Sequence, residues 1–105
     1  MATQELITAA MRLRSLADDI SGAPWVQDDV EGTVRGADRT IVYDYSAAYD
    51  DGPEGWAEGK AQGAYTATMN PTVALDLARL LDRLAWAGSA PAEAFAVARA
   101  INGTA

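Results

Sequence analysis

The chain has 105 residues, half of them apolar, and a formal net charge of −7. That length points to one domain burying roughly two-thirds of the surface its unfolded chain exposes. It contains no cysteine and no histidine, which excludes disulfides, thiolate nucleophiles, thiolate or imidazole metal sites and the commonest general base.

The charge is unevenly spread. From Ser15 to Lys60 eleven acids face three bases, whereas the rest of the chain carries four acids and five bases. An acidic middle repels phosphate backbones, so no direct nucleic-acid binding is expected through it. The first residues carry no basic n-region, and Arg12 and Arg14 interrupt the apolar run. Neither a signal peptide nor a membrane span is therefore expected, and the reading is a cytoplasmic protein.

In chain order, Leu6, Ala10, Leu13, Ala17 and Ile20 recur at heptad-like spacing, with Ile7, Met11 and Leu16 widening the apolar face. This predicts an amphipathic helix over 3–21, capped by Thr3 and stopped at Gly22 and Pro24. Residues 25–45 read as a β-hairpin region in which Trp25 packs beneath the helix. Short extended pieces at 26–30 and 33–35 precede the clearest strand, 40–45, which is β-branched and aromatic, and the turn between them falls at 35–39. The segment 46–60 is polar and punctuated by Gly52, Gly55 and Gly59, which predicts a long, mobile acidic loop.

A helical region spans 61–103. A short helix from about Ala61 precedes a break at Asn70-Pro71, where Asn70 suits the N-cap and Pro71 the first helical position. In the helix that follows, Val73, Leu77, Leu80 and Leu84 keep a/d spacing, with Ala74, Leu81 and Ala85 on the adjoining stripe. Gly88 ends it, and Ser89-Ala90-Pro91 opens a last helix with Phe95, Ala98 and Ile101 on one face. The expected fold is α+β: a small antiparallel β-sheet of two or three strands packed with three main α-helices plus a short helix before Pro71.

The loop acids Asp44, Asp50, Asp51, Glu54 and Glu58 lack EF-hand spacing, so no metal site is expected. Gly32-Thr33-Val34-Arg35-Gly36 opens no helix and has no Walker lysine, so it reads as a hairpin. Tyr49 and Trp56 stand among Asp50, Asp51 and Glu54, which marks these five as candidate partner-binding residues. Arg35, Arg39, Tyr43 and Tyr45 form an alternative ligand set for a small nucleotide signal bound at a subunit interface. The stripe Val73, Leu77, Leu80 and Leu84 is a candidate oligomer interface, because three apolar helix faces exceed what so small a sheet covers; a dimer is the simplest homo-oligomer. Hydrolysis by carboxylates and a metal, and mimicry of DNA phosphate rows, are further readings of the same acids.

The run Leu13-Arg14-Ser15-Leu16-Ala17, then Gly22-Ala23-Pro24-Trp25, then Tyr65 to Leu75 with Leu80-Leu81-Asp82-Arg83-Leu84 resembles a pattern in the Ead-like group of small accessory proteins from actinobacterial temperate phages and prophages. The resemblance covers residues 6–84. Here Ala23 is inserted between Gly22 and Pro24, and Tyr65-Thr66 stands where that group has aliphatic residues. The resemblance implies a non-catalytic, oligomeric accessory protein in the host cell cytoplasm, acting by binding a host protein, with no cofactor.

Overall fold

The computed structural model describes residues 2–104. The elements are α1 (Ala2–Asp18), β1 (Val26–Asp28), β2 (Thr33–Arg35), β3 (Ile41–Asp44), a 3-10 helix (Ser46–Asp51), α2 (Gly52–Thr68), α3 (Pro71–Ala87) and α4 (Ala92–Asn102). Among the described residues these are four α-helices and one three-stranded antiparallel sheet of order β1-β2-β3, an α+β fold. They form two compact units: a helical unit of the chain up to Ile20 and from Ala74 onward, and a sheet-bearing unit, Ser21–Val73. No described helix is long and apolar enough to cross a membrane.

The core of the helical unit is Leu6, Ala9, Ala10, Ala78, Leu81, Ala94 and Ala98. Small side chains at 9, 10, 94 and 98 let α1 and α4 pack closely, since interaxial distance follows the bulk at the contact. At the margin of this seam Arg99 Nε donates to Glu5 Oε2 at 2.8 Å, and Asn102 Nδ2 donates to the Glu5 carbonyl at 3.1 Å. Arg14 forms an ion pair with Asp82 between α1 and α3. α1 ends at Asp18, short of the expected Ser21: Asp18 and Asp19 place two carboxylates at the negative end of the helix dipole. At its other end α1 already includes Ala2, so Thr3 lies inside the helix and not at the expected cap.

The buried residues of α3 differ from the expected stripe. Ala78 and Leu81 reach the core, whereas Leu77 and Leu84 are half-buried and Leu80 is 53% exposed. Both sets repeat at heptad spacing one residue apart, about 100° around the helix. The alanine seam of α1 and α4 receives the stripe containing Ala78.

In the sheet-bearing unit, β1 pairs with β2 (Gln27 with Val34) and β2 with β3 (Val34 with Tyr43). A register shift at Val34/Arg35 pairs Arg35 with Ile41 and skips Val42. Trp25 is half-buried and its Nε1 donates to the Ser21 carbonyl at 2.9 Å.

Segment 46–60 is not a loop. It comprises the 3-10 helix and the first half of α2, which spans 17 residues instead of a short stretch from Ala61. Pro53 suits the first turn of α2, where its missing N–H costs nothing. The glycines at 55, 59 and 63 recur every fourth residue and form one bare face of the helix, and Gly59 and Gly63 are buried. A Cβ at Gly59 would come within 2.6 Å of Ala48 Cβ, and one at Gly63 within 2.7 Å of Tyr45 Cε1. Close packing against the 3-10 helix and Tyr45 thus offsets the poor helix propensity of glycine.

Candidate functional site

The site is built from three neighbouring pieces of the sheet-bearing unit. The β1–β2 turn is held by Asp28, whose Oδ1 accepts from Val30 N at 2.9 Å and from Glu31 N at 3.2 Å, and by Gly32 at φ +73°. This turn presents Val30 at 98% exposure. After β3, Asp44 Oδ1 accepts from Ser46 N at 2.9 Å, which caps the entry to the 3-10 helix. Three residues per turn put Ser46 and Tyr49 on one side of that helix. Trp56, on α2, completes the arrangement.

Four aromatic rings run in sequence. Tyr43 stacks on Tyr45 with centroids 6.0 Å apart, Tyr45 meets Trp56 at 5.6 Å and 32°, and Trp56 meets Tyr49 at 5.5 Å and 77°. Tyr45 is the anchor. It is buried, and its hydroxyl donates to Asp29 Oδ1 at 2.5 Å. Burial, reinforced by that bond and the neighbouring carboxylates, pushes its phenol up to about 12. Gln27 Nε2 donates both to Asp29 Oδ1 at 3.0 Å and to the Lys60 carbonyl at 2.9 Å, joining β1 to α2. At the far end, Tyr43 donates its hydroxyl to Gln62 Oε1 at 2.7 Å.

Two concavities flank this ladder. The larger, about 530 Å³, is a cup walled by Tyr49, Trp56, Val30 and Ser46 and rimmed by Asp29, Glu31 and Asp50. The other, about 340 Å³, lies over Tyr43 and the glycine face of α2 and takes Asp44, Asp51 and Glu58 into its wall. Neither wall includes a basic residue. Such a surface offers π faces and carboxylate oxygens, both of which attract cations. Among the described residues, no three carboxylates gather to hold a metal ion.

Of the five residues expected to bind a partner, Tyr49, Asp50 and Trp56 come together in the cup, Asp51 belongs to the second concavity, and Glu54 lines neither. Of the alternative ligand set, Tyr43 and Tyr45 are stacked neighbours, but neither arginine lines either concavity. Arg35 is paired with Glu31 at 3.2 Å and donates to the Arg39 carbonyl at 2.7 Å, while Arg39 occupies the β2–β3 turn at φ +71°. Asp29, Val30 and Glu31 were not among the expected site residues. Their signal was present as Asp28-Asp29-Val30-Glu31-Gly32, an acidic turn closed by glycine between two short strands.

In the helical unit, Leu77, Leu80 and Leu84 line an apolar groove of about 220 Å³ with Leu81, Pro91 and Val97. Val73 belongs to the other unit and takes no part in it. Trp86, 91% exposed, borders a further concavity with Ile7 and Asp82.

Comparisons with protein-family models, with characterised proteins and with solved structures return no match for this chain.

Proposed function

We propose that the chain is a non-catalytic binding protein that engages a basic surface of another protein through its sheet-bearing unit. One observation carries this reading: that unit holds nine carboxylates against three bases, and three of them, Asp29, Glu31 and Asp50, line the same concavity as the exposed Tyr49 and Val30. Exposed aromatic and apolar side chains inside a single-sign field supply anchor and steering together. The likeness to phage accessory proteins makes a host protein the natural partner. The test is affinity capture from a bacterial lysate with the parent chain and with the triple variant Asp50→Lys, Asp51→Lys and Glu54→Lys. The reading expects a discrete partner, released by salt and lost in the variant. Capture that is unchanged by charge reversal refutes it.

A second proposal concerns the helical unit, where the exposed Leu80 sits between half-buried Leu77 and Leu84 in a groove almost free of polar atoms. A second copy of the chain is the occupant we propose, because two identical leucine stripes can interdigitate about a two-fold axis. Light scattering on the parent chain and on Leu80→Ser tests it. A dimer mass that falls to monomer in the variant is expected, and a parent chain that is already monomeric overturns it.

A further inference from the structure

We infer that the corner between Tyr49 and Trp56 is a receptor for one arginine side chain of the partner, an inference that rests on reading the sheet-bearing unit as a protein-binding surface. The two rings stand 77° apart at 5.5 Å and form adjoining walls of the same cup. Tyr45 leans on the indole but does not line the cup, so a Trp56 surface is left for a ligand. Tyr49 is 72% exposed, so much of its surface outside the contact with Trp56 is open to a ligand.

The chemistry of the rim selects a cation. Asp29, Glu31 and Asp50 line the cup with no base among the lining residues; Asp29 already accepts from Tyr45 and Gln27, which leaves Asp50 at the rim to draw an incoming positive charge. Glu31 Oε2 is already engaged by the Arg35 guanidinium, which largely neutralises it, so the pull of the rim on a ligand falls mainly to Asp50. A volume of about 530 Å³ exceeds what a bare ion fills and admits a guanidinium with part of its stem. Val30, projecting from the β1–β2 turn, supplies an apolar surface against which the methylenes of that stem can lie. Arginine is favoured over lysine because its planar head is weakly hydrated and stacks on aromatic faces, whereas an ammonium must shed a tighter water shell.

The anchoring of the walls supports a preformed receptor. Trp56 rests on Tyr45, and Tyr45 is pinned by Asp29 and by the glycine face of α2. The Trp56 wall therefore needs little ordering when a ligand enters, which reduces the entropy cost of binding.

The test uses the full chain labelled with ¹⁵N and three blocked peptides that alternate glycine with arginine, lysine or citrulline. The Trp56 indole N–H is the reporter, assigned by its absence in Trp56→Phe. The arginine peptide is expected to move that signal and to bind roughly five- to tenfold more tightly than the lysine peptide, while neutral citrulline leaves the signal in place. Tyr49→Leu, an exposed substitution that leaves Trp56 seated, should erase the preference for arginine; Asp50→Asn should weaken both cationic peptides alike. Equal binding of arginine and lysine peptides, unaffected by Tyr49→Leu, overturns the receptor but leaves the acidic docking surface standing. Absence of binding by the arginine peptide also overturns it, and the charge-reversal capture then decides separately on the broader reading.

Discussion

Gly63 of α2 lies directly against the ring of Tyr45: a Cβ at that position would stand 2.7 Å from Tyr45 Cε1 and 3.0 Å from Gln27 Nε2. The glycine exists to admit the ring, and the ring in turn seats Trp56. Helix and sheet of this unit are joined through an absence of side chain on one and a phenol on the other.

Gly63→Ala should therefore destabilise the sheet-bearing unit by about 1–3 kcal/mol through overpacking, outweighing the gain of about 1 kcal/mol that alanine brings to a helix interior. The buried ring has little room to shift. Urea unfolding followed by the emission of the aromatic cluster measures the change. A variant as stable as the parent would mean that Tyr45 is free to move.

Alkaline pH should unfold the same contact. The Tyr45 phenol has a folded-state value of about 12 against an ordinary 10.0, so the folded chain keeps a proton that the unfolded chain releases. The associated stabilisation is fully present below pH 10 and disappears as pH rises toward 12. Tyr45→Phe should lower stability at neutral pH and flatten this alkaline step. At the acid end, the Ser46 hydroxyl and amide hold the Asp44 carboxyl below 3.8, and Ser21 and Thr40 do the same for Asp38. Those contributions persist above that value and are lost as pH falls through the lowered folded-state values. Denaturant midpoints measured across pH on the parent chain and Tyr45→Phe separate the two ends.

Neighbouring leucines of α3 should behave differently. Leu81 is 1% exposed and Leu80 is 53% exposed. Leu81→Ala should cost about 2–5 kcal/mol by opening a cavity among Leu6, Ala10 and Ala94. Leu80→Ser should leave folding nearly unchanged, within about 0.5–1 kcal/mol, and register instead in the mass of the assembly. Thermal unfolding of the two variants gives the contrast, and a Leu80→Ser chain that unfolds as readily as Leu81→Ala contradicts it.

At the start of α3, Asn70 Oδ1 accepts from Thr72 N at 2.9 Å and from Val73 N at 3.4 Å. Asn70→Ala leaves both amides without that oxygen and should cost about 1 kcal/mol, with Asn70→Asp recovering most of it. Circular dichroism on melting the two variants reads the difference.

The comparison of Asn70 with Gly59 and Gly63 separates what local chemistry determines from what packing determines. The cap at Asn70-Pro71, the strand at 41–44 and the left-handed glycine ending α3 at Gly88, φ +71°, were all legible in the sequence. Each depends on atoms within a few residues: a side-chain oxygen on nearby amides, a ring that fixes φ, a missing Cβ where φ is positive. The acidic character of the middle segment was legible for the same reason, being a matter of counting.

The glycines of α2 were open to two readings, because the same residues that punctuate loops also form the flattest face a helix can have. Only Tyr45 and Ala48 arriving against positions 59 and 63 decide for the helix. Likewise two leucine-alanine stripes on α3 satisfy one periodicity, and the alanine seam between α1 and α4 selects the one that is buried. The cup follows the same rule. Sequence determined that Tyr49, Asp50 and Trp56 would be polar-segment residues with aromatic anchors among them; the tertiary structure decided that Val30 and Glu31, from a turn some 20 residues away, would join them. Contacts between distant segments depend on which faces meet, and a local pattern of side chains does not encode that meeting until the other face is in place.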